Sequence, residues 1–159
     1  MSQTVELLAR YRGCLLAGAT GDALGALVEF LERAAIARQY GEGGIRDLAP
    51  AYGRTGAITD DTQMTLFTAE GLLRAHVRGC MRGIGPDYTG ITAHAYLRWL
   101  HTQDVSPRQQ VDLDGWLLGH PALFHRRGPG NTCLQALTAL PDLGERADHD
   151  SKGCGGVMR

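Results

Sequence analysis

The segment Thr59-Asp60-Asp61-Thr62 places four oxygen-bearing side chains in one run of the sequence. Adjacent carboxylates repel each other, so such a pair needs positive charge nearby. A helix N-terminus supplies it through free amides and the helix dipole. A hard divalent cation such as Mg²⁺ or Mn²⁺ also supplies it, and prefers oxygen ligands. Capping alone does not explain the two flanking threonines. We therefore predict a divalent-metal site at a helix start, with simple capping as the alternative.

A second acidic pair lies in Gly21-Asp22-x-x-Gly25-x-x-x-Glu29. Residues seven apart on a continuous helix share one face, and this face is otherwise small and apolar. A carboxylate buried there needs a partner. The simpler alternative is that Asp22 binds a main-chain amide and Glu29 lies in water at a helix end.

Two glycine-rich segments could bind an anion. Arg126 and Arg127 precede Gly128-Pro129-Gly130, which opens onto a predicted helix, and a helix N-terminus attracts anions. The segment 151–159, Ser-Lys-Gly-Cys-Gly-Gly-Val-Met-Arg, has spaced glycines that suit a backbone wrapped around phosphates or ribose. It lacks the order of a P-loop. The alternatives are an ordinary interhelical loop and a disordered tail.

Helical periodicity dominates the elements that must position these residues, and no segment alternates as a strand does. We therefore predict an all-α helical bundle forming a single domain over residues 1–159. The predicted helices are Val5–Leu16 with its small-residue extension to Ala26, Leu31–Gln39 ended by Gly41, Asp60–Arg78, Thr89–Thr102, Asp114–His125 and Asn131–Leu140.

Composition excludes several classes of protein. The chain has 159 residues, 43% of them apolar, and a formal net charge of −1. This balance gives no support for direct nucleic-acid binding or for a disordered charged tail. The four cysteines lack the spacing of a zinc site or a disulfide scaffold. Neither a signal peptide nor a membrane-spanning run is visible, so we expect a cytoplasmic protein with reduced thiols.

The order of these motifs resembles the N-terminal half of the ADP-ribosylglycohydrolase family over about residues 10–159. The motifs that carry the resemblance are Gly21-Asp22-x-x-Gly25-x-x-x-Glu29, Thr59-Asp60-Asp61-Thr62-Gln63-Met64-Thr65, Pro129-Gly130-x-Thr132 and Ser151-Lys152-Gly153-x-Gly155-Gly156-x-Met158-Arg159. The resemblance implies an all-α bundle with two Mg²⁺ or Mn²⁺ ions. It also implies hydrolysis of the glycosidic bond between ADP-ribose and a modified protein side chain or a related ADP-ribosyl compound.

The resemblance also implies roles for individual residues. Thr59, Asp60 and Asp61 would bind metal, and Glu29 would be the catalytic acidic residue beside the ions. Asp22 would support the site without ligating metal. The substrate cleft would be lined by Gly153, Gly155 and Gly156, while Cys154 stands where some relatives carry Asn.

One departure from the family pattern is large. The second group of metal ligands in the family is an Asp-x-Asp-Thr motif far toward the C-terminus. Asp112-Leu113-Asp114-Gly115 has the spacing of the two carboxylates, but Gly115 replaces the threonine and the position differs. We therefore expect a truncated chain with half of the ligands and little or no turnover, which a complementing C-terminal half would complete. Two alternatives remain: a non-catalytic or structural helical protein that binds ADP-ribose or a nucleotide, and a plain helical interaction domain.

Overall fold

Five α-helices and one short hairpin form the regular structure of this computed structural model, which describes residues 3–147, 150–153 and 155–158. Cys154 and Arg159, both named in the sequence motifs, lie outside the described residues. The elements are α1 (Gln3–Gly25), α2 (Arg33–Tyr40), β1 (Pro50–Ala51), β2 (Arg54–Thr55), α3 (Asp60–Arg82), α4 (Tyr88–Thr102) and α5 (Asn131–Ala139), with short 3₁₀ helices at Leu117–Gly119, Pro121–Leu123 and Gly155–Met158.

The prediction of an all-α fold is confirmed, and five of the six predicted helices lie close to their predicted bounds. Gly41 ends α2 with a φ of 77°, a conformation that glycine adopts without steric cost. The first helix runs further than its apolar repeat, to Gly25. In the described part of the chain, no helix is long and apolar enough to cross a membrane.

The predicted helix Asp114–His125 is wrong. Two 3₁₀ turns occupy this region instead. Pro121 disfavours helical backbone at His120, whose φ of −107° and ψ of 101° are extended. The buried carboxylate of Glu70 also holds the segment, because its Oε1 accepts the amides of Trp116 at 2.7 Å and Leu117 at 3.3 Å. Pro121 also lacks an amide proton, and its ring would clash with the carbonyl four residues earlier, so a continuous helix through residues 114–125 is disfavoured.

The chain divides into two compact units, Met1–Thr62 and Gln63–Arg159. The core of the second unit forms around Met64, Phe67, Trp99 and Leu123. Buried Gln63 serves this core, because its Oε1 accepts from Trp99 Nε1 at 3.2 Å and its Nε2 donates to the carbonyl of His125 at 3.0 Å. Both polar atoms of the Gln63 side chain and the indole N–H of Trp99 thereby have a hydrogen-bond partner, as burial requires.

The hairpin of the first unit was not predicted. β1 and β2 are antiparallel and pair Ala51 with Arg54, so only Tyr52 and Gly53 form the turn. Their φ angles are 47° and 80°, and positive φ at both central residues is the mark of a type I′ turn. Glycine tolerates this conformation, whereas a side chain with a Cβ costs about 1–2 kcal/mol there. Tyr52 is therefore held in a strained conformation.

Candidate metal centre

The carboxylate of Asp22 organises the chain immediately before and within the first turn of α3. Its Oδ1 accepts the Thr59 hydroxyl at 2.6 Å, and its Oδ2 accepts the Thr59 amide at 2.8 Å. Oδ2 also accepts the amide and hydroxyl of Thr62 at 3.2 and 2.5 Å. Four donors on one carboxylate occupy most of its lone pairs. Asp22 is therefore placed to support Thr59 and Thr62 rather than to bind a ligand itself.

Thr59 caps α3, a position that the simpler sequence interpretation gave to an aspartate. Its hydroxyl oxygen accepts the amide of Asp61 at 3.2 Å, which is the geometry of an N-cap residue. Because this hydroxyl donates its one proton to Asp22, the oxygen keeps a second lone pair for another donor or a cation. Asp60 and Asp61 follow as the first two residues of the helix.

The prediction that Asp22 and Glu29 share one face of a continuous helix, from their spacing of seven residues, is wrong. α1 ends at Gly25, and residues 26–30 form a turn that leaves Glu29 exposed. The turn nevertheless brings Glu29 close to the other carboxylates of the unit. Its pKa is raised above the ordinary value of 4.5, first by desolvation and then by repulsion from Asp60, Asp61 and Asp22.

The first unit therefore gathers all four acidic residues predicted for the site. Thr59 and Asp60 are buried, at 2% and 3% exposure, and Asp61 is partly exposed. Within the residues that the structure describes, no three Asp, Glu, His or Cys side chains form a metal site by themselves. The donor types still fit a hard cation, because the Thr59 hydroxyl and the two aspartates are oxygen ligands. Their ligation of metal stays a prediction.

The Asp-x-Asp spacing at 112–114 has a structural explanation in the second unit. Asp114 Oδ2 accepts a hydrogen bond from Arg74 Nη2 at 2.5 Å, and Oδ1 lies 3.7 Å from Arg98 Nη1. The hydrogen bond from Arg74 is the main cause that lowers the pKa of the Asp114 carboxyl. The two arginines balance the charge of Asp114 and hold its loop in place. The position of this carboxylate is therefore explained without a metal ion.

The two glycine-rich segments come together in the second unit. The hydroxyls of Thr132, in the first turn of α5, and Ser151 are hydrogen bonded. A Cβ on Gly153 would lie 2.8 Å from Thr132 Cβ, so only glycine fits this close approach. Gly155 and Gly156 begin the 3₁₀ helix that follows. The segment 151–153 thus packs against the start of α5, and substrate binding by its glycines stays a prediction.

The arginines before that helix serve the local fold in part. Arg127 is buried, and its Nη2 donates to the carbonyl of Ala122 at 3.1 Å.

Tyr52 was not singled out from the sequence. In the structure its pKa is raised by burial and then by Glu29, Asp60 and Asp22. The dipeptide Tyr-Gly is a weak turn signal, because type I′ turns favour Asn-Gly or Asp-Gly.

The substitution Asp22→Asn tests the role of the carboxylate. Asparagine keeps the shape, but it replaces one acceptor oxygen by an NH₂ group that faces N–H and O–H donors. We expect the free energy of unfolding to fall by about 2–3 kcal/mol, measured by urea denaturation. Asp47→Asn, at an exposed loop position of the same unit, should change it by less than about 0.5 kcal/mol. Equal losses in both variants would contradict this role.

The substitution Glu29→Gln tests the cost of the Glu29 charge, which desolvation and then repulsion from the neighbouring carboxylates impose. A raised pKa means that ionised Glu29 destabilises the folded chain, fully at a pH above its folded pKa and not at all below about 4.5. In buffer with EDTA, the glutamine variant should therefore melt higher than wild type at pH 7 and equally at pH 4. Glu42→Gln, at another exposed position, is the matched control. A lower melting temperature for Glu29→Gln at pH 7 would refute the assignment.

Comparisons with known proteins agree with the motifs. The family model described as ADP-ribosylglycohydrolase matches residues 3–159. An ADP-ribosyl-[dinitrogen reductase] glycohydrolase from Rhodospirillum rubrum is 45% identical over 69 residues, which cover 40% of this chain and 22% of that protein. An uncharacterized protein from Archaeoglobus fulgidus is 43% identical over 67 residues, covering 40% and 21%. The chain therefore matches only about a fifth of the length of these relatives.

No solved structure matches the chain. The family match nevertheless spans nearly all of it, including the Asp22, Thr59–Thr62 and glycine-rich segments described above. This chain belongs to the ADP-ribosylglycohydrolase family.

Proposed function

We propose that this chain supplies the first half of a divalent-metal centre that hydrolyses the glycosidic bond between ADP-ribose and a modified protein side chain or a related ADP-ribosyl compound. The observation that carries the proposal is the Asp22 carboxylate, which fixes Thr59 by hydrogen bonds to its amide and its hydroxyl. Family membership supports the reaction class, and the Rhodospirillum relative is named as a glycohydrolase of ADP-ribosyl-[dinitrogen reductase].

The residues of the first unit have separate tasks in this proposal. Asp60, Asp61 and the Thr59 hydroxyl would hold the ions, Mg²⁺ or Mn²⁺. The ions, when bound, supply Lewis acidity and a water of lowered pKa. Glu29 would accept a proton from the attacking water, since a carboxyl with a raised pKa is a better base near neutral pH. Its charge would also stabilise the positive ribose ring as the glycosidic bond breaks.

The second unit would contribute to substrate binding. Gly153 lies against Thr132 with no room for a side chain, and this packing fixes the segment 151–153 beside the start of α5. We propose that Gly153, Gly155 and Gly156 line the ADP-ribose cleft. A complementing segment with the missing Asp-x-Asp-Thr ligands, on this polypeptide or on a partner, would complete the centre.

A second function is favoured by one observation. Asp114 is paired with Arg74, so the Asp-x-Asp pattern at 112–114 does not replace the absent ligand group. Residues 1–159 by themselves would then bind ADP-ribose or a nucleotide without cleaving it. Release of ADP-ribose from a modified peptide is expected of the hydrolase and not of this non-catalytic function.

Cation binding is the first test. Saturating MgCl₂ or MnCl₂, at about 100 times Kd, adds about 2.7 kcal/mol to the stability of a protein that binds the ion only when folded. For a chain of this size we expect the melting temperature to rise by about 5–10 °C. Asp60→Ala and Asp61→Ala should each abolish the rise, and Asp47→Ala should keep it.

The same samples can be tested for ligand binding and for turnover. In MnCl₂ we expect calorimetry to show that the wild-type chain binds ADP-ribose. In a separate assay we expect slow release of ADP-ribose from a modified peptide. Binding without any release would favour the non-catalytic function. If neither cation raises the melting temperature of the wild-type chain, the metal centre is refuted.

A further inference from the structure

The turn residue Tyr52 presents an exposed phenol in an unfavourable backbone conformation. It is 41% exposed, and its φ of 47° is one that asparagine or glycine adopts more readily. Among the residues that the structure describes, none forms a hydrogen bond with the Tyr52 hydroxyl. Folding within this unit therefore gives no reason for a bulky aromatic residue here, and strained positions of this kind concentrate at functional sites.

Packing fastens the turn beside the carboxylates. Ala51, the residue before Tyr52, forms a buried cluster with Ala26 and Ala57. Ala26 lies in the chain between Asp22 and Glu29, and Ala57 lies two residues before Thr59. One small apolar cluster thus joins the hairpin to both segments that carry the acidic residues. The raised pKa of Tyr52, caused by burial and then by Glu29, Asp60 and Asp22, agrees with this closeness.

The chemistry of the carboxylate group leaves a task for Tyr52. The side chains of Glu29, Asp60 and Asp61 are acceptors when ionised, whereas the hydroxyls and phosphates of an ADP-ribosyl group also need donors. A phenol supplies one O–H donor. Its ring adds a rigid apolar face, so little side-chain conformational entropy is lost on binding. Neither asparagine nor glycine at this turn position offers both.

Resting on the proposed function, we infer that Tyr52 is a substrate-contacting residue at the rim of the centre, whose hydroxyl donates a hydrogen bond to an oxygen of the ADP-ribosyl group. The ring covers one side of the bound group. Tyr52 binds no metal. Its unfavourable backbone conformation is kept because the side chain serves binding.

The test uses Tyr52→Asn and Tyr52→Phe in the full 159-residue chain, with ADP-ribose as the probe in MnCl₂. We expect Tyr52→Asn to melt no lower than wild type and to bind ADP-ribose about tenfold or more weakly. Tyr52→Phe loses one neutral hydrogen bond, so its affinity should fall about three- to tenfold. Both variants should keep the full rise in melting temperature with MnCl₂ alone.

A matched control separates strain from contact. Asp104 is the other described non-glycine residue with a positive φ, at 58°, so Asp104→Gly should relieve strain and leave ADP-ribose affinity unchanged. If wild type binds ADP-ribose and Tyr52→Asn binds it equally, the inference about Tyr52 fails alone. If Tyr52→Asn also loses the MnCl₂ effect, its role is structural and the inference fails. If wild type shows neither the MnCl₂ effect nor binding, the proposed function fails and the inference with it.

Discussion

The carboxylate of Asp22 is the interaction on which the rest of the first unit depends. It joins the end of α1 to the start of α3 across 37 residues of sequence, and it accepts amides that would otherwise lack a partner at the helix N-terminus. The same hydrogen bonds fix the Thr59 hydroxyl with its proton turned to Asp22. The Thr59 oxygen therefore keeps one lone pair for a further donor or a cation, next to Asp60 and Asp61. The contact that stabilises the N-terminus of α3 thus also orients an oxygen-rich group of side chains.

This arrangement has an electrostatic consequence. Asp22, Glu29, Asp60 and Asp61 lie near enough for their charges to interact, and the pKa of Glu29 is raised by desolvation first and by this repulsion second. A folded chain keeps such a cluster at some cost in stability unless hydrogen bonds or a cation offset the charge. Hydrogen bonds offset it at Asp22. The proposed divalent cation and the hydroxyl donor of Tyr52 would complement the remaining negative charge.

Local signals predicted much of the fold. Gly41 ends a helix and Asp60 begins one because both roles depend on a few neighbouring residues. The helix expected after Asp114 does not form because Pro121 interrupts helical backbone there, and Glu70, from a distant part of the chain, holds the segment through two amides. The hairpin at Tyr52 was not predicted because a Tyr-Gly pair is only a weak signal of a type I′ turn, which favours Asn-Gly or Asp-Gly. The motifs singled out acidic residues that the fold brings near one another, while only the fold shows that Asp22 accepts four hydrogen bonds.

The metal position is the central claim and is measured most directly by Mn²⁺ broadening of amide resonances in an NMR spectrum of the ¹⁵N-labelled chain. Paramagnetic broadening reports which amides lie closest to the ion. At substoichiometric Mn²⁺ we predict that the amides of residues 59–61 and of Glu29 broaden first, while those of the first two turns of α1, at the far end of that helix from Asp22, stay sharp. Broadening centred instead on the exposed carboxylates of the loop at Glu42 and Asp47, or absent altogether, would contradict the account.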